Sequence, residues 1–107
     1  MKIDDSEKLL RGQINLETAQ IAWRELQRYF ASGATVFVGP ELDLVEVAYQ
    51  IAQDNAPQVA EWMEHGHIAR VTDEQALAWH EADSIVWAVV ARPYVLIQEN
   101  RHVSHSR

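Results

Sequence analysis

Four acidic residues in the middle of the chain, Glu41, Asp43, Glu46 and Asp54, have side chains able to do chemistry. Carboxylates at such spacing can ligate a hard cation or act as an acid–base pair. The same residues also fit structural roles. Asp43 precedes a helical pattern and Glu46 follows three residues later, which predicts a capping box, while Asp54 suits the turn that ends that helix. We therefore predict structural roles for these acids.

Three histidines form the second group of candidate ligands. His65 and His67 are two residues apart, and His80 falls on a later predicted helix. Two histidines and a carboxylate can hold zinc, but the spacing differs from the His-Glu-x-x-His pattern of a zinc-binding helix. We predict no metal site and no cofactor. A small metal-dependent enzyme that uses Asp43, Asp54 or His80 is kept as an alternative.

Covalent catalysis finds little support in the sequence. There is no cysteine to act as a nucleophile or to form disulfides. No serine lies in a Gly-x-Ser-x-Gly elbow, and the four glycines are too scattered to form a phosphate-binding loop. We predict no catalytic residue, and the composition favours a non-enzymatic protein.

The charge of the chain is concentrated in one segment. The formal net charge is −7, and residues 41–83 hold ten acids and a single base, Arg70. Two predicted helices in this segment, residues 43–53 and 57–65, have the order of a helix-turn-helix, yet the second contains no lysine or arginine. Phosphate contacts depend on basic groups. We therefore expect no nucleic-acid partner, although a contiguous cationic face would favour the alternative of a DNA-binding, winged-helix-type regulator.

Hydrophobic periodicity and capping residues predict the order α-β-α-α-β-α-β in a single small α+β domain. This order resembles a winged helix, and a layer of helices on a three-stranded sheet is the alternative. The predicted helices cover residues 16–32, 43–53, 57–65 and 72–82, and the predicted strands cover residues 34–38, 68–71, 85–91 and 94–98. We expect a loosely packed segment at residues 1–14, a globular domain at residues 15–99 and a flexible tail at residues 100–107.

Several residues are candidates for contact with a protein partner. Trp79 is expected to be half exposed beside His80, and exposed tryptophan is typical of interfaces. Tyr94 and Gln98 are four residues apart on the last predicted strand and therefore share a face. With the acids Glu61 and Glu64, they define a predicted partner-binding surface made of the acidic segment and the last strand.

Four motifs resemble a family of small bacterial proteins, the domain-of-unknown-function family numbered 2288. They are PELDLVEVA at residues 40–48, IAxDN at 51–55, VxxWxxxG at 59–66, which contains Trp62 and Gly66, and PYVLIQE at 93–99. The resemblance covers roughly residues 16–99. It implies a bacterial cytoplasmic protein, and it brings no established activity or catalytic residue.

These observations lead to one leading hypothesis. No apolar run approaches the ~20 residues of a membrane-spanning helix, and the first residues lack the apolar stretch of a secretory signal. We predict a cytoplasmic, non-enzymatic acidic binding or adaptor module without a membrane partner. It would act through protein–protein contacts, with a basic or apolar partner or as a homodimer.

Overall fold

The computed structural model describes residues 5–100 as one α+β domain built on a five-stranded sheet. The helices are α1 (Asp5–Glu17), α2 (Gln27–Ala31), α3 (Leu44–Ala52), α4 (Ala56–Glu64) and α5 (Asp73–Glu81), with a 3₁₀ turn at Trp23–Leu26. The strands are β1 (Ala19–Ala22), β2 (Thr35–Val38), β3 (Ile68–Arg70), β4 (Ile85–Ala91) and β5 (Tyr94–Gln98). The predicted α+β class is confirmed.

The sheet has the order β1-β4-β5-β2-β3. Strand β5 runs parallel to β2, and the other neighbouring pairs are antiparallel. Strands β1 and β3 form the two edges, so β5, the last strand, is central. Because β5 is paired on both sides, only its faces, and not an edge, remain available for the predicted partner-binding surface.

Side chains alternate across the sheet and build two cores. The first core lies under α1, α3 and α4, and the second lies under the 3₁₀ turn, α2 and α5. In β5, Leu96 belongs to the first core, and Val95 and Ile97 belong to the second. This period of two explains why β5 reads as a continuous apolar run: both of its faces are covered.

The predicted helix at residues 16–32 is wrong in its first half. Residues 19–22 form edge strand β1, which pairs with β4 from Ala19 opposite Ala88 to Ala22 opposite Ile85. Leu16, which the helical spacing with Trp23, Leu26 and Phe30 predicts to be buried, is 86% exposed. The helical spacing continues through Trp23, Leu26 and Phe30, but pairing with a distant strand outweighs local helix preference in the preceding residues.

The remaining predicted elements lie within two residues of their positions in the structure. Thr72 and Gln75, whose types and spacing predict a capping box, form one at the start of α5. Gly33 and Gly66 adopt positive φ angles of 80° and 75° where α2 and α4 end, as expected for glycine after a helix.

The sheet and the first helix differ from the organisation that the sequence predicts. The sheet has five strands and helices on both faces, so the three-stranded alternative is wrong in strand number, and the winged-helix likeness is not confirmed. Helix α1 runs without a break across residues 14 and 15, and its Ile14 is buried in the first core. The loose packing of residues 1–14 stays a prediction, and the predicted tail beyond residue 100 lies outside the described residues. Within residues 5–100 no helix is long and apolar enough to cross a membrane.

Candidate functional site

Helix α4 covers the first core only partially and leaves a cleft beside it. Asn55 caps the start of the helix: its side chain accepts a hydrogen bond from the backbone N–H of Gln58. No residue of α4 is fully buried. Val59 and Trp62 are half-buried against the first core, whereas Met63 is 55% exposed. An amphipathic helix with so little buried surface leaves apolar surface available at its flank.

The α4 cleft is the open space between α4, the end of α3 and edge strand β3. Its volume is about 100 Å³. Apolar side chains dominate its walls, as is usual for binding sites. The lining residues are Val36, Ile51, Val59, Met63, Ile68, Ala69, Arg70 and Tyr94.

The polar groups of the α4 cleft lie at its two ends. Arg70 Nη1 donates a hydrogen bond of 2.7 Å to the carbonyl oxygen of Gly33. A second hollow continues the cleft past Ile51, Val59 and Tyr94 to the loop before α4, where Asp54 lies. Asp54 has a positive φ of 58°, a conformation that aspartate tolerates better than most residues. The cleft therefore combines apolar walls with one cation and one anion.

The other flank of α4 carries a polar groove. Leu42, Gln58, Glu61, Trp62, His65 and His67 line it. The rings of His65 and His67 stack with their centroids 6.1 Å apart, and His67 Nδ1 lies 2.5 Å from a carboxylate oxygen of Glu41. This hydrogen bond lowers the pKa of Glu41 below its ordinary value of 4.5. Glu41 thus remains ionised beside the groove.

The acidic residues singled out in the sequence have separate structural contacts. Asp43 caps α3 by accepting a hydrogen bond from the backbone N–H of Val45 at 3.0 Å. The predicted capping box at this helix is wrong, because Glu46 instead accepts hydrogen bonds from Arg11 on α1 and from Gln50. Burial alone would raise the pKa of Glu46, but the hydrogen bonds from Arg11 and Gln50 outweigh it and hold that pKa below its ordinary value.

The described residues do not assemble a metal centre. Between residues 5 and 100, no three His, Cys, Asp or Glu side chains are grouped so that they could hold a metal ion. His80 Nδ1 is hydrogen-bonded to Gln27 at 2.8 Å, on the opposite face of the sheet from Asp43 and Asp54. What the region around α4 does offer is an apolar cleft, a polar groove and exposed carboxylates, which are groups for recognition.

The structure separates the five predicted partner-binding residues. Glu61 and Glu64 are exposed on α4, and Tyr94 lines the α4 cleft. Trp79 is 5% exposed, so the expectation of a half-exposed side chain is wrong. Its ring packs against Trp23 with centroids 5.0 Å apart, and its Nε1 donates to Glu99 at 3.0 Å. These contacts place Trp79 inside the second core.

Gln98 is also buried, with 1% of its surface exposed. Its Nε2 donates 2.8 Å hydrogen bonds to the carbonyl oxygens of Gly39 and Leu42. It shares a sheet face with Tyr94 as predicted, but this face is covered by α3. Gln98 therefore holds the loop that leads into α3 and is not accessible to a partner.

Two residues of the α4 cleft were missed by the sequence analysis. The helical spacing of Met63 with Val59 and Trp62 predicts an inward position for its side chain. Arg70 stood out only as the single base of residues 41–83. The exposure of Met63 depends on how far α4 reaches over the sheet, and no local pattern carries that information.

Fold and site together define a small α+β protein with an apolar cleft beside an acid-bearing helix. The solution NMR structure of PA1075 from Pseudomonas aeruginosa is similar, with 37% sequence identity and a TM-score of 0.76. The similarity covers 100% of this chain and 99% of that one. A search of curated proteins finds no match.

Residues 9–99 match the family described as "Protein of unknown function (DUF2288)". The chain belongs to this family, and the resemblance carried by the four sequence motifs is confirmed. Three of the motifs coincide with structural features described above: the cap and helix α3, the turn before α4, and α4 itself ending at Gly66.

Proposed function

We propose that the protein is a non-enzymatic acidic binding module that docks a basic, apolar segment of another protein against helix α4. The observation that carries this proposal is the open, apolar cleft beside α4, a helix that belongs to a segment whose charge is almost entirely negative. An apolar side chain of the partner would enter between Met63 and Ala69, at the edge strand. Basic groups of the partner would cross the exposed side of α4 to Glu64 and to Glu61, which lines the polar groove on the other flank.

Electrostatics supports a basic partner for this surface. Glu61 and Glu64 are exposed, and Arg70 is the one base among residues 41–83. Such a surface increases the association rate of a cationic segment and repels nucleic acid. Arg24 and Arg28, which a DNA-binding alternative would need beside α3 and α4, belong to the elements that cover the second face of the sheet.

Binding is tested with a short fluorescent peptide of alternating lysine and leucine, whose anisotropy is measured against protein concentration. The double variant Glu61→Lys with Glu64→Lys should weaken binding about fivefold or more at low salt. Met63→Ser should also weaken it, because an apolar wall of the α4 cleft is lost. A peptide of alternating glutamate and leucine should bind more weakly than the lysine peptide.

The matched control is Glu25→Lys with Glu81→Lys. Both residues are exposed, the change in net charge is the same, and both belong to elements that cover the opposite face of the sheet. This variant should retain nearly wild-type affinity. Equal weakening by the two double variants would show that only net charge matters, and an unaffected Glu61→Lys/Glu64→Lys variant would exclude α4 as the docking surface.

A further inference from the structure

The sheet edge farthest from the α4 cleft is formed by β1. Trp23 N–H donates to the carbonyl of Ser84 at 2.9 Å, just beyond the last residue pair of β1 and β4. In an antiparallel ladder, bonded and non-bonded pairs alternate. The N–H and C=O groups of Gln20 and Ala22 therefore point away from β4. Among the described residues, no strand pairs with that side of β1.

Strand β1 is short, but it carries none of the charges or prolines that commonly protect an edge strand. Its sequence is Ala-Gln-Ile-Ala, with no charged residue and no proline. The other edge strand, β3, ends in the exposed Arg70. Proteins commonly use charges, prolines or bulges to prevent edge strands from pairing with other chains. The edge at β1 is thus open to a further strand.

Helix α1, which directly precedes β1 in the chain, carries two exposed leucines. It contacts α3 and β4, and its Arg11 is bonded to Glu46 of α3. At about 100° per residue, Leu9 and Leu16 lie roughly 160° and 140° around the helix from Arg11. They therefore face away from α3, and they are 74% and 86% exposed.

Gly12 lies between these two leucines on the outer side of α1. A Cβ atom built at this position has no neighbour within 4 Å. Glycine weakens a helix relative to alanine, and the single chain shows no close contact that would require it here. Close approach of a second helix would supply the reason that the isolated chain does not.

Charge identifies the occupant of this edge. Residues 1–40, which contain α1 and β1, hold five acids and five bases, whereas residues 41–83 hold nearly all the excess negative charge. A basic partner would prefer the acidic segment. Two copies that each carry a net charge of −7 repel one another least where they meet through a nearly neutral surface, and residues 5–22 of α1 and β1 hold three acids and two bases.

We propose that this edge is a homodimer interface in which two chains meet about a two-fold axis at Ile21. Gln20 of one chain pairs with Ala22 of the other, so the two sheets join through antiparallel β1 strands. The two α1 helices then lie on the same face of the joined sheet and pack through Leu9 and Leu16. Such an isologous contact satisfies both free edges and closes on itself.

Sedimentation equilibrium from about 5 to 500 µM tests the proposal. The wild-type chain should approach twice its monomer mass of 12.2 kDa. Leu16→Glu should raise the dimer dissociation constant by at least about tenfold, while Leu77→Glu, at another exposed leucine on α5, should leave it unchanged. A wild-type monomer at every concentration, or equal effects of both variants, overturns the proposal.

A single cysteine tests the two-fold axis directly, because the wild-type chain has none. Ile21→Cys should cross-link two chains under mild oxidation, since facing residues of a non-bonded antiparallel pair are close enough for a disulfide. Ala69→Cys on β3 is the control, and it should run as a monomer on a non-reducing gel. A dimeric wild type without an Ile21→Cys cross-link overturns the proposed strand pairing.

Gly12→Ala separates folding from association. The substitution should raise the thermal stability of α1 in the single chain, because alanine favours helix, and it should weaken the dimer by separating the two helices. A variant that is both better folded and equally dimeric would remove Gly12 from the interface. This outcome is independent of peptide binding at α4, which lies towards the opposite edge of the sheet.

Discussion

The two faces of the sheet are covered in different ways. On the second face, three aromatic rings interlock: Trp23 contacts Trp79 and Phe30, with centroid distances of 5.0 and 5.8 Å. Contacts at the rim hold the covering elements together, such as the Arg24–Asp83 ion pair at 3.2 Å. On the first face, α3 is deeply buried, but α4 has no fully buried residue and α1 has only Ile14.

This difference separates stability from recognition within one small domain. Large aromatic side chains supply much buried area and tight packing, so the second face should carry a large share of the folding free energy. Helices with few buried residues leave clefts and exposed apolar groups, so both proposed interaction surfaces lie on the first face or at its edge. The following predictions test this division, beginning with the largest effect.

Trp23→Ala should be the most damaging of these substitutions. Trp23 is fully buried, and removing such a side chain costs about 3–5 kcal/mol of unfolding free energy. Val59→Ala on α4 should cost only about 1 kcal/mol, because Val59 is half-buried. Urea denaturation followed by circular dichroism measures both. Similar costs would contradict the proposed difference between the faces.

Trp23→Phe sharpens this prediction. The indole N–H of Trp23 is buried and has no hydrogen-bond partner among the described residues. Phenylalanine removes that unsatisfied donor, which offsets part of the lost packing. The variant should therefore be clearly more stable than Trp23→Ala in the same urea titration.

The cost in unfolding free energy of removing a helix cap should not depend on the face of the sheet that the helix covers. Thr72 caps α5 above the second face, and Asp43 caps α3 above the first. Replacing either with alanine should cost about 1 kcal/mol, since a cap satisfies backbone groups of its own helix. The same denaturation assay measures the two costs. A much larger cost for one cap would mean that it also supports tertiary packing.

The smallest effect concerns the attachment of α1 to α3. The folded-state pKa of Glu46 is lowered, so its interaction with Arg11 stabilises the fold above the ordinary pKa of 4.5 and is lost as the pH falls through the lower folded value. Because the pair is partly exposed to solvent, its contribution should be below about 1 kcal/mol. Glu46→Gln should remove this part of the pH dependence, measured as unfolding free energy between pH 3 and 7.

Asp43 provides the control for Glu46 in the pH experiment. Asp43 lies three residues earlier at the same helix terminus and makes a capping hydrogen bond instead of an ion pair. Asp43→Asn retains an acceptor for the N–H of Val45 and should leave the acid response attributed to Arg11 and Glu46 intact. An identical loss in both variants would assign the response to the helix terminus as a whole.

The sequence predicted the elements whose signals are local. Thr72 and Gln75, Asp43, and the glycines at 33 and 66 interact with residues a few positions away, and each indicated a helix boundary that the structure confirms. The family motifs were also recognisable in the sequence, because they are contiguous. The α4 cleft could not be predicted from the sequence, since its walls come from α3, α4, β2, β3 and β5.

Tertiary structure alone decided the position of each strand and the accessibility of the candidate residues. Ala19–Ala22 became an edge strand because β4, more than sixty residues later, offers its backbone for pairing. The same long-range pairing made β5 central and enclosed Gln98, and the packing of α5 against the 3₁₀ turn enclosed Trp79. Capping and helical periodicity act over one turn of chain, whereas sheet order and burial depend on which distant segments meet.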